Sequence, residues 1–183
     1  MMQTILLFGV SNVGKTTIGS KLANKTGFSF YDLDEEVKKY YQVTLEQFVN
    51  TGDLRSRDKK RGIVLCEIMK QNVNKVVAVT PMSYADYFFN YLRRDDVIAI
   101  ELLDTAENIF DRLVFSDEND VIYRDDNYKS KYRQHYLKEI KEDIAWYSAV
   151  YRNVQNKFYI NNDQPEVAVD RLMKEYTLSY LRE

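Results

Sequence analysis

The sequence has little cysteine, little histidine and no excess of positive charge. Cys66 is the single cysteine among 183 residues, which excludes an internal disulfide and fits a reducing cytosol. The one histidine, His135, leaves no zinc-site spacing and no Ser-His-Asp arrangement. The formal net charge is −2, and the Lys and Arg residues are interleaved with Asp and Glu. This charge pattern predicts no nucleic-acid partner.

Long apolar runs are also missing. The N-terminal stretch MMQTILLFGV has no basic start, and its apolar run is too short for export or for spanning a membrane. It predicts a buried first strand at residues 4–8 instead. We therefore expect a cytoplasmic protein without a membrane partner.

A glycine-bounded segment follows that strand. Residues 9–16, GVSNVGKT, have the spacing of the phosphate-binding loop of nucleotide triphosphatases, which is Gly, four residues, then Gly-Lys-Thr. Because a helix is predicted at 15–25, the positive end of its dipole would face the phosphates. Lys15 would reach the β- and γ-phosphates of ATP, Thr16 would ligate Mg²⁺, and Thr17 would bond the α-phosphate. The predicted ATP-binding residues of this segment are Asn12, Val13, Gly14, Lys15, Thr16 and Thr17.

Short apolar runs alternate with helical patterns along the chain. Further strands are predicted at 28–33, 75–79, 97–102 and 158–160, with helical patterns between them. A capping box from Thr44 to Gln47 predicts one helix start, and Asp163, Pro165 and Glu166 predict the start of the last helix. The alternation predicts an α/β fold, a three-layer α/β/α sandwich around a five-stranded parallel sheet of the P-loop NTPase type.

The polar segment at about 116–136 breaks this alternation, because its charged residues and tyrosines lack an apolar period. We expect a mobile lid there, within a single domain that spans 1–183. Tyrosines at 84–91 and 132–151 have helical spacing, which predicts packing in the core rather than a pocket wall.

Two aspartates lie at the end of the second predicted strand, in FYDLDEEV. Residues two apart on a strand point the same way, so Asp32 and Asp34 would both face the ligand crevice beside the phosphate loop. One carboxylate could hold Mg²⁺ through water, and the other could accept a hydrogen bond from a substrate hydroxyl and polarise it for attack. The alternative is a solvated acidic cap for a helix that starts near Glu35. Position alone leaves both interpretations open.

Three segments carry a resemblance to a known family: GVSNVGKTTIGSKLANKTGFSFYDLD, QVTLEQFVNTGDLRSRDKKRGIVL and VIAIELLDTAENIFDRL. They resemble the shikimate kinases, small cytosolic enzymes of aromatic amino acid biosynthesis that transfer the γ-phosphoryl group of ATP to the 3-hydroxyl of shikimate. The resemblance implies that Asp32 lies near the metal with Thr16 and that Asp34 binds the acceptor hydroxyls. It also implies that Arg57 binds the shikimate carboxylate and that Arg112 packs against adenine. The predicted catalytic residues are accordingly Lys15, Asp32 and Asp34.

The turn after the third strand departs from this family. The family has Gly-Gly-Gly there, whereas this sequence has Thr80-Pro81-Met82. Proline has no N–H, and side chains now occupy space that glycine leaves open. We include Thr80, Pro81 and Met82 with Asp34 and Arg57 among the predicted substrate-binding residues.

The lid and the helix after it depart as well. The family's Arg-Pro-Leu-Leu lid motif is absent. If Tyr147 is the family's tyrosine after the lid, Asp143 stands where a second carboxylate-binding arginine is expected, and an aspartate would repel an acidic acceptor. A transition state needs a cation but no particular sequence around it. The possible substitutes are Arg124, Lys129, Lys131 and Arg133.

Three functions stay open at this point. The first is an ATP- and Mg²⁺-dependent kinase for a small hydroxylated metabolite, with shikimate as the first candidate. The second keeps the fold but takes a nucleoside or a polyol as acceptor, which the altered turn and Asp143 favour. The third is a nucleotide-binding regulator without turnover, which the missing lid motif favours and Lys15, Thr16 and Asp32 oppose. We expect a monomer or a weak dimer.

Overall fold

The computed structural model describes residues 2–178, and strands alternate with helices along this part of the chain. Two short 3₁₀ turns, at Ala85–Tyr87 and Phe89–Arg93, follow the third strand. In chain order the elements are β1 (Thr4–Phe8), α1 (Lys15–Thr26), β2 (Ser29–Asp32), α2 (Leu33–Tyr41), α3 (Leu45–Val49), α4 (Leu54–Lys70), β3 (Lys75–Ala78), β4 (Val97–Leu103), α5 (Ala106–Arg112), β5 (Phe115–Ser116), β6 (Ile122–Tyr123), α6 (Asp126–Lys131), α7 (Arg133–Val150), β7 (Asn156–Tyr159) and α8 (Pro165–Glu175).

The main sheet has five strands in the order β2-β3-β1-β4-β7. All of its pairings are parallel, and β1 lies in the centre with every residue buried. This sheet, with helices on both faces, confirms the predicted α/β/α sandwich. Because the strands are parallel, their C-terminal ends meet at one edge, and the segment that follows β1 lies there.

Each face of the sheet packs against its own hydrophobic core. Ile5 and Leu7 of β1 belong to one core, which includes residues of α1 and α8. Leu6 and Phe8 belong to the other, which includes residues of α2 and α4. Successive side chains of a strand point to opposite faces, so one apolar run supplies both layers.

Local signals in the sequence place several helix ends correctly. Gly27 ends α1 in the left-handed conformation at a φ of 73°, and its N–H donates to a carbonyl oxygen of the last turn. The capping box is also confirmed, because the Thr44 hydroxyl accepts from the Gln47 N–H and the Gln47 side chain accepts from the Thr44 N–H. These contacts satisfy backbone donors that a helix start would otherwise leave without partners.

Two local predictions are wrong. The amphipathic helix expected at 84–91 is replaced by the two 3₁₀ turns, which place Phe88 in the core at 1% exposure. The last helix has Gln164 at its N-cap without a side-chain hydrogen bond, and Asp163 pairs with Arg171 instead. The segment 116–136 contains the antiparallel β5–β6 hairpin followed by α6, and its role as a mobile lid stays a prediction.

The tyrosine stripe of α7 is only partly in the core. Tyr151 is fully buried and stacks on Tyr147 with ring centroids 5.4 Å apart, whereas Tyr132 is 37% exposed. Within residues 2–178, no helix is both long enough and apolar enough to cross a membrane.

Candidate active site

A cavity of about 570 Å³ opens at the C-terminal edge of the sheet. The segment after β1, the end of β2, the turn after β3, the end of α5 and the hairpin region all contribute to its wall. This volume suits a ligand of nucleotide size. The predicted site residues that line it are Asn12, Gly14, Lys15, Thr16, Thr17, Asp32, Asp34, Thr80, Pro81 and Arg112.

The backbone of the phosphate loop requires glycine at both ends. Gly9 has a φ of 138°, and a Cβ there would lie 2.6 Å from the carbonyl oxygen of Leu102. Gly14 has a φ of 113° and is the N-cap of α1, with no side chain that caps the helix. The first N–H groups of α1 are therefore left for a ligand, and the helix dipole favours an anion at this end.

Lys15 lies across the loop. Its ammonium donates hydrogen bonds to the carbonyl oxygens of Gly9 and Val10 at 2.9 and 2.7 Å. Burial lowers the pKa of Lys15 to about 8, although the charges of Asp34 and Asp32 act in the opposite direction. A triphosphate would supply the negative charge that favours the ammonium form.

The two carboxylate oxygens of Asp32 have different partners, and the predicted helix cap is one of them. Its Oδ1 caps α2 by accepting from the N–H groups of Asp34 and Glu35 at 3.0 and 3.4 Å. Its Oδ2 accepts from the Thr16 hydroxyl at 2.6 Å. The helix therefore begins at Leu33, earlier than the sequence pattern predicts.

The oxygen donors of Thr16 and Asp32 fit Mg²⁺. Mg²⁺ is commonly held by one or two protein oxygens together with water and substrate phosphates, rather than by an all-protein cage. In the part of the chain that the structure describes, no cluster of three or more acidic, histidine or cysteine side chains is arranged to hold a metal. A shared hydroxyl–carboxylate site at the helix start is consistent with that mode of binding.

Asp34 lies in the first turn of α2, not on the strand as the sequence pattern predicts. It nevertheless lines the same cavity as Asp32 and Lys15. Its Oδ1 is buried without a hydrogen-bond partner. Burial raises the pKa of Asp34, against the effect of Arg61 and of the nearby Thr80 hydroxyl. A carboxylate with a raised pKa accepts a proton from a substrate hydroxyl more readily.

The altered turn after β3 leaves room for an acceptor. Thr80 and Pro81 line the cavity, but Met82 is fully buried in the core. The Met82 N–H donates to the Tyr151 hydroxyl at 3.2 Å. The methionine side chain therefore does not fill the space that glycine would leave open.

Arg112 and residues of the hairpin region also line the cavity. Nη2 of Arg112 donates to Asp104 at 2.7 Å, and its Nε is buried without a partner. Of the four candidate lid cations, Arg124 lines the cavity. Lys129 donates instead to the carbonyl oxygen of Asp111 at 2.9 Å.

Asp120, in the turn between β5 and β6, contacts α2 and the start of α3. Asp120 accepts from the Leu45 N–H at 3.1 and 2.9 Å, and it lies 3.4 Å from the Lys38 ammonium. The β5–β6 hairpin is therefore tied to the start of α3 and to α2.

The cavity does not bring every predicted residue together. Its lining among the described residues does not include Arg57, Val13 or Met82. The guanidinium of Arg57 donates to the carbonyl oxygens of Val49 and Gly52 at 2.7 and 3.1 Å. The side chain of Val13 is buried in the core at 1% exposure, so only its backbone could contact a ligand.

Two buried charged residues on α4 were not among the predicted site residues. Asp58 is fully buried and Arg61 is 7% exposed, and they form an ion pair at 3.2 Å. Arg61 continues the period of Val64, Leu65 and Ile68 on the buried face of the helix. A charged residue at core spacing was the signal that could have found this pair.

The loop, the Thr16–Asp32 pair and the buried Asp34 carboxyl line one cavity, an arrangement typical of P-loop kinases. The family model for shikimate kinase matches residues 11–177. The chain therefore belongs to the shikimate kinase family, which confirms the resemblance.

Individual relatives agree with this assignment. The chain is 26% identical to a shikimate kinase of Flavobacterium johnsoniae over 174 residues, which cover 92% of this chain and 91% of that protein. The structure is similar to a shikimate kinase from Bacteroides thetaiotaomicron, with a TM-score of 0.79 at 21% identity over 97% of this chain and 100% of that one. It is also similar to a shikimate kinase from Acinetobacter baumannii in complex with shikimate, with a TM-score of 0.65 at 24% identity over 97% and 94% of the two chains. At these identities, the structural matches establish the shared fold.

Proposed function

We propose that this chain transfers the γ-phosphoryl group of ATP to a hydroxyl of shikimate, giving shikimate 3-phosphate. One observation carries the proposal. The Asp34 carboxyl, with a buried oxygen that lacks a partner, lines the same cavity as Lys15 and the Thr16–Asp32 pair. A substrate hydroxyl would supply the missing donor, and membership of the family supplies the identity of the acceptor.

The nucleotide half of the site is assigned as follows. The loop backbone from Asn12 to Gly14 and the start of α1 would bind the phosphates, with Thr17 at the α-phosphate. Lys15 would move from its carbonyl partners to the β- and γ-phosphates. Thr16 and Asp32 would hold Mg²⁺, which when bound neutralises charge on the phosphate oxygens. Arg112, with its free Nε, would pack against adenine.

The acceptor half rests on Asp34. Its carboxylate would accept the hydrogen bond of the attacking hydroxyl, orient that oxygen in line with the γ-phosphate and take up its proton. Thr80 and Pro81, which line the same cavity, would contact the acceptor ring. The role that the resemblance implies for Arg57 stays a prediction.

Arg124 is the cation that we assign to the transferring phosphate, because it is the lid candidate that lines the cavity. We take the segment 116–136 as a lid within one domain spanning 1–183. We further propose that the enzyme works in the cytoplasm as a monomer or a weak dimer, which light scattering over a concentration series would test.

A kinase for another acceptor is the second candidate. Two departures from the family favour it. The turn Thr80-Pro81-Met82 replaces Gly-Gly-Gly, and Asp143 stands where an arginine that binds the carboxylate of the acceptor is expected. Burial, with the charges of Glu139 and Glu142, raises the pKa of Asp143. The buried position of Met82 weakens this alternative, since only two of the three turn residues face the cavity.

Release of ADP from MgATP separates the candidates. The native chain is assayed with shikimate, nucleosides and sugars, with and without Mg²⁺, beside the isosteric variant Asp34→Asn. We expect turnover of shikimate that requires Mg²⁺ and a kcat lowered by about two orders of magnitude or more in Asp34→Asn. Turnover of a nucleoside or sugar with inert shikimate would establish the second candidate. ATP binding without turnover of any acceptor would indicate a regulator.

A further inference from the structure

The turn between β5 and β6 is exposed except at one aspartate. Glu118 and Asn119 are exposed and Val121 is 60% exposed, whereas the side chain of Asp120 is only 15% exposed. The backbone of Asp120 has a φ of 61°, in the left-handed region that aspartate and asparagine adopt more readily than most other residues. This turn therefore buries one carboxylate against the rest of the molecule while its other side chains stay in water.

Asp117 fixes the shape of the turn from within. Its Oδ1 accepts from the N–H groups of Asn119 and Val121, each at 2.9 Å. Its carbonyl oxygen accepts from the Asp120 N–H at 3.0 Å. Aspartate side chains commonly close turns in this way. Because Asp117 supplies these internal hydrogen bonds, the carboxylate of Asp120 is left for contacts outside the hairpin.

The partners of Asp120 lie far away in the sequence. Its oxygens accept from the N–H of Leu45, 75 residues earlier, and Oδ2 lies 3.4 Å from the Lys38 ammonium. Leu45 is the first residue of α3, where an N–H has no partner within the helix. The capping box satisfies the N–H groups of Thr44 and Gln47 but not that of Leu45. The carboxylate of Asp120 completes this cap from the hairpin.

The hairpin needs such outside contacts. Its two strands pair over only two residues each, and a two-stranded hairpin is marginally stable by itself. At its base, the Phe115 ring packs against the rings of Tyr128 and Tyr136, with centroids 5.8 Å apart in both pairs. At its tip, Asp120 supplies the contact with α2 and α3.

The same hairpin region carries part of the cavity wall. Ile122 of β6 and Arg124, just after it, line the cavity together with Lys15 and Thr16. Arg124 is exposed, and a long exposed side chain samples many rotamers. Its reach into the cavity therefore depends on how firmly the hairpin backbone is held.

We propose that Asp120 is a positioning residue for the reaction. By binding the start of α3 and Lys38, it holds the hairpin in place and keeps Arg124 at the transferring phosphate. The inference rests on the proposed function, which assigns Arg124 to that phosphate, and it deepens it. It identifies what fixes a cation that the sequence places outside the family's lid motif.

A double-mutant cycle in steady-state kinetics, at saturating MgATP and shikimate, tests whether Asp120 acts through Arg124. Asp120→Gly removes the carboxylate and tolerates the positive φ. It should lower kcat about tenfold, while the KM for ATP changes by less than about threefold. In the Arg124→Gln background the same substitution should change kcat by less than about twofold, because the residue that Asp120 positions is gone.

Two further variants separate the contact from the flexibility of the turn. Asp120→Asn keeps an acceptor for the Leu45 N–H but loses the charge, so its kcat should lie between those of the native chain and Asp120→Gly. Glu118→Gly is the matched control. It loosens the same exposed turn without removing the contacts of Asp120, so it should leave kcat within about twofold of the native value.

Amide hydrogen exchange tests the contact itself, without substrates. In Asp120→Gly the Leu45 amide should exchange about tenfold faster or more, because its acceptor is lost. The Gln47 amide, which donates to the Thr44 hydroxyl, should exchange at its native rate.

Each remaining outcome counts against a stated part of the account. Unchanged exchange at Leu45, or equally faster exchange at Leu45 and Gln47, would overturn the inference. A loss of kcat that repeats in full in the Arg124→Gln background, or that Glu118→Gly reproduces, would do the same and leave the proposed function standing. A native chain that does not phosphorylate shikimate would overturn the proposed function and the role of Arg124 with it.

Discussion

Asp32 makes two separable contributions, and substitutions at this one position test both. Oδ1 caps α2 through the N–H groups of Asp34 and Glu35, and Oδ2 accepts from the Thr16 hydroxyl. Asparagine is as good an N-cap as aspartate, so Asp32→Asn should change the free energy of unfolding by less than about 0.5 kcal/mol. Asp32→Ala removes the cap and should cost about 1 kcal/mol. Both variants lose the charged oxygen that faces the metal position, so both should lower kcat by about a hundredfold or more.

Urea unfolding gives the stability and steady-state kinetics at saturating MgATP and shikimate gives kcat. Asp53→Asn is the matched control. Asp53 caps α4 by accepting from the Ser56 N–H at 2.7 Å, and it is exposed and lies outside the cavity wall. This variant should change neither quantity. Near-native kcat in Asp32→Asn, or a loss of stability equal to that of Asp32→Ala, would refute the division of labour between the two oxygens.

Three further predictions follow from single contacts. Gly9→Ala should lower the free energy of unfolding by about 2–4 kcal/mol, because the backbone has a positive φ there and the new Cβ would meet a carbonyl oxygen. Gly52→Ala is the control: only its φ is unfavourable, so it should cost about 1 kcal/mol. Equal losses of stability on urea unfolding would contradict this. Arg124→Gln should lower kcat about tenfold to a hundredfold without changing ATP-analogue affinity, and Lys129→Gln should change neither, which kinetics and calorimetry will check. Burial opposes ionisation of Asp104, yet hydrogen bonds from its neighbours lower its pKa, so its stabilisation is present above its ordinary pKa and is lost as pH falls through the folded value. Asp104→Asn should therefore destabilise the chain at neutral pH, and this destabilisation should shrink as the pH falls below the ordinary carboxyl pKa in urea unfolding; a destabilisation that does not change with pH would contradict this.

The sequence predicts the sheet and the phosphate loop well because their signals are local. The apolar run of β1, the glycines of the loop and the Thr44–Gln47 capping box each act within a few residues. The segment 84–91 shows the limit of such signals. Its aromatic period suggests a helix, but Phe88 packs against both Phe8 and Tyr151, and tertiary packing selects 3₁₀ turns instead.

The acceptor side could not be predicted residue by residue, because its geometry depends on long-range contacts. Asp58 is buried because Ser83 and Tyr84, 25 and 26 residues away in the chain, donate to it. The spacing of α4 places Arg61 on the buried face, but it does not show that Arg57 donates to the carbonyl oxygens of Val49 and Gly52. The role in acceptor binding that the resemblance implies for Arg57 stays a prediction.

The central claim is that the chain moves the γ-phosphoryl group of ATP onto shikimate. Phosphorus NMR of the native chain mixed with MgATP and shikimate tests it most directly. We expect the γ-phosphate signal to disappear while a single phosphomonoester signal, coupled to the ring proton at the 3-position, grows in equal amount with ADP. Release of inorganic phosphate with shikimate unchanged, or ATP that stays intact beside it, would contradict the account.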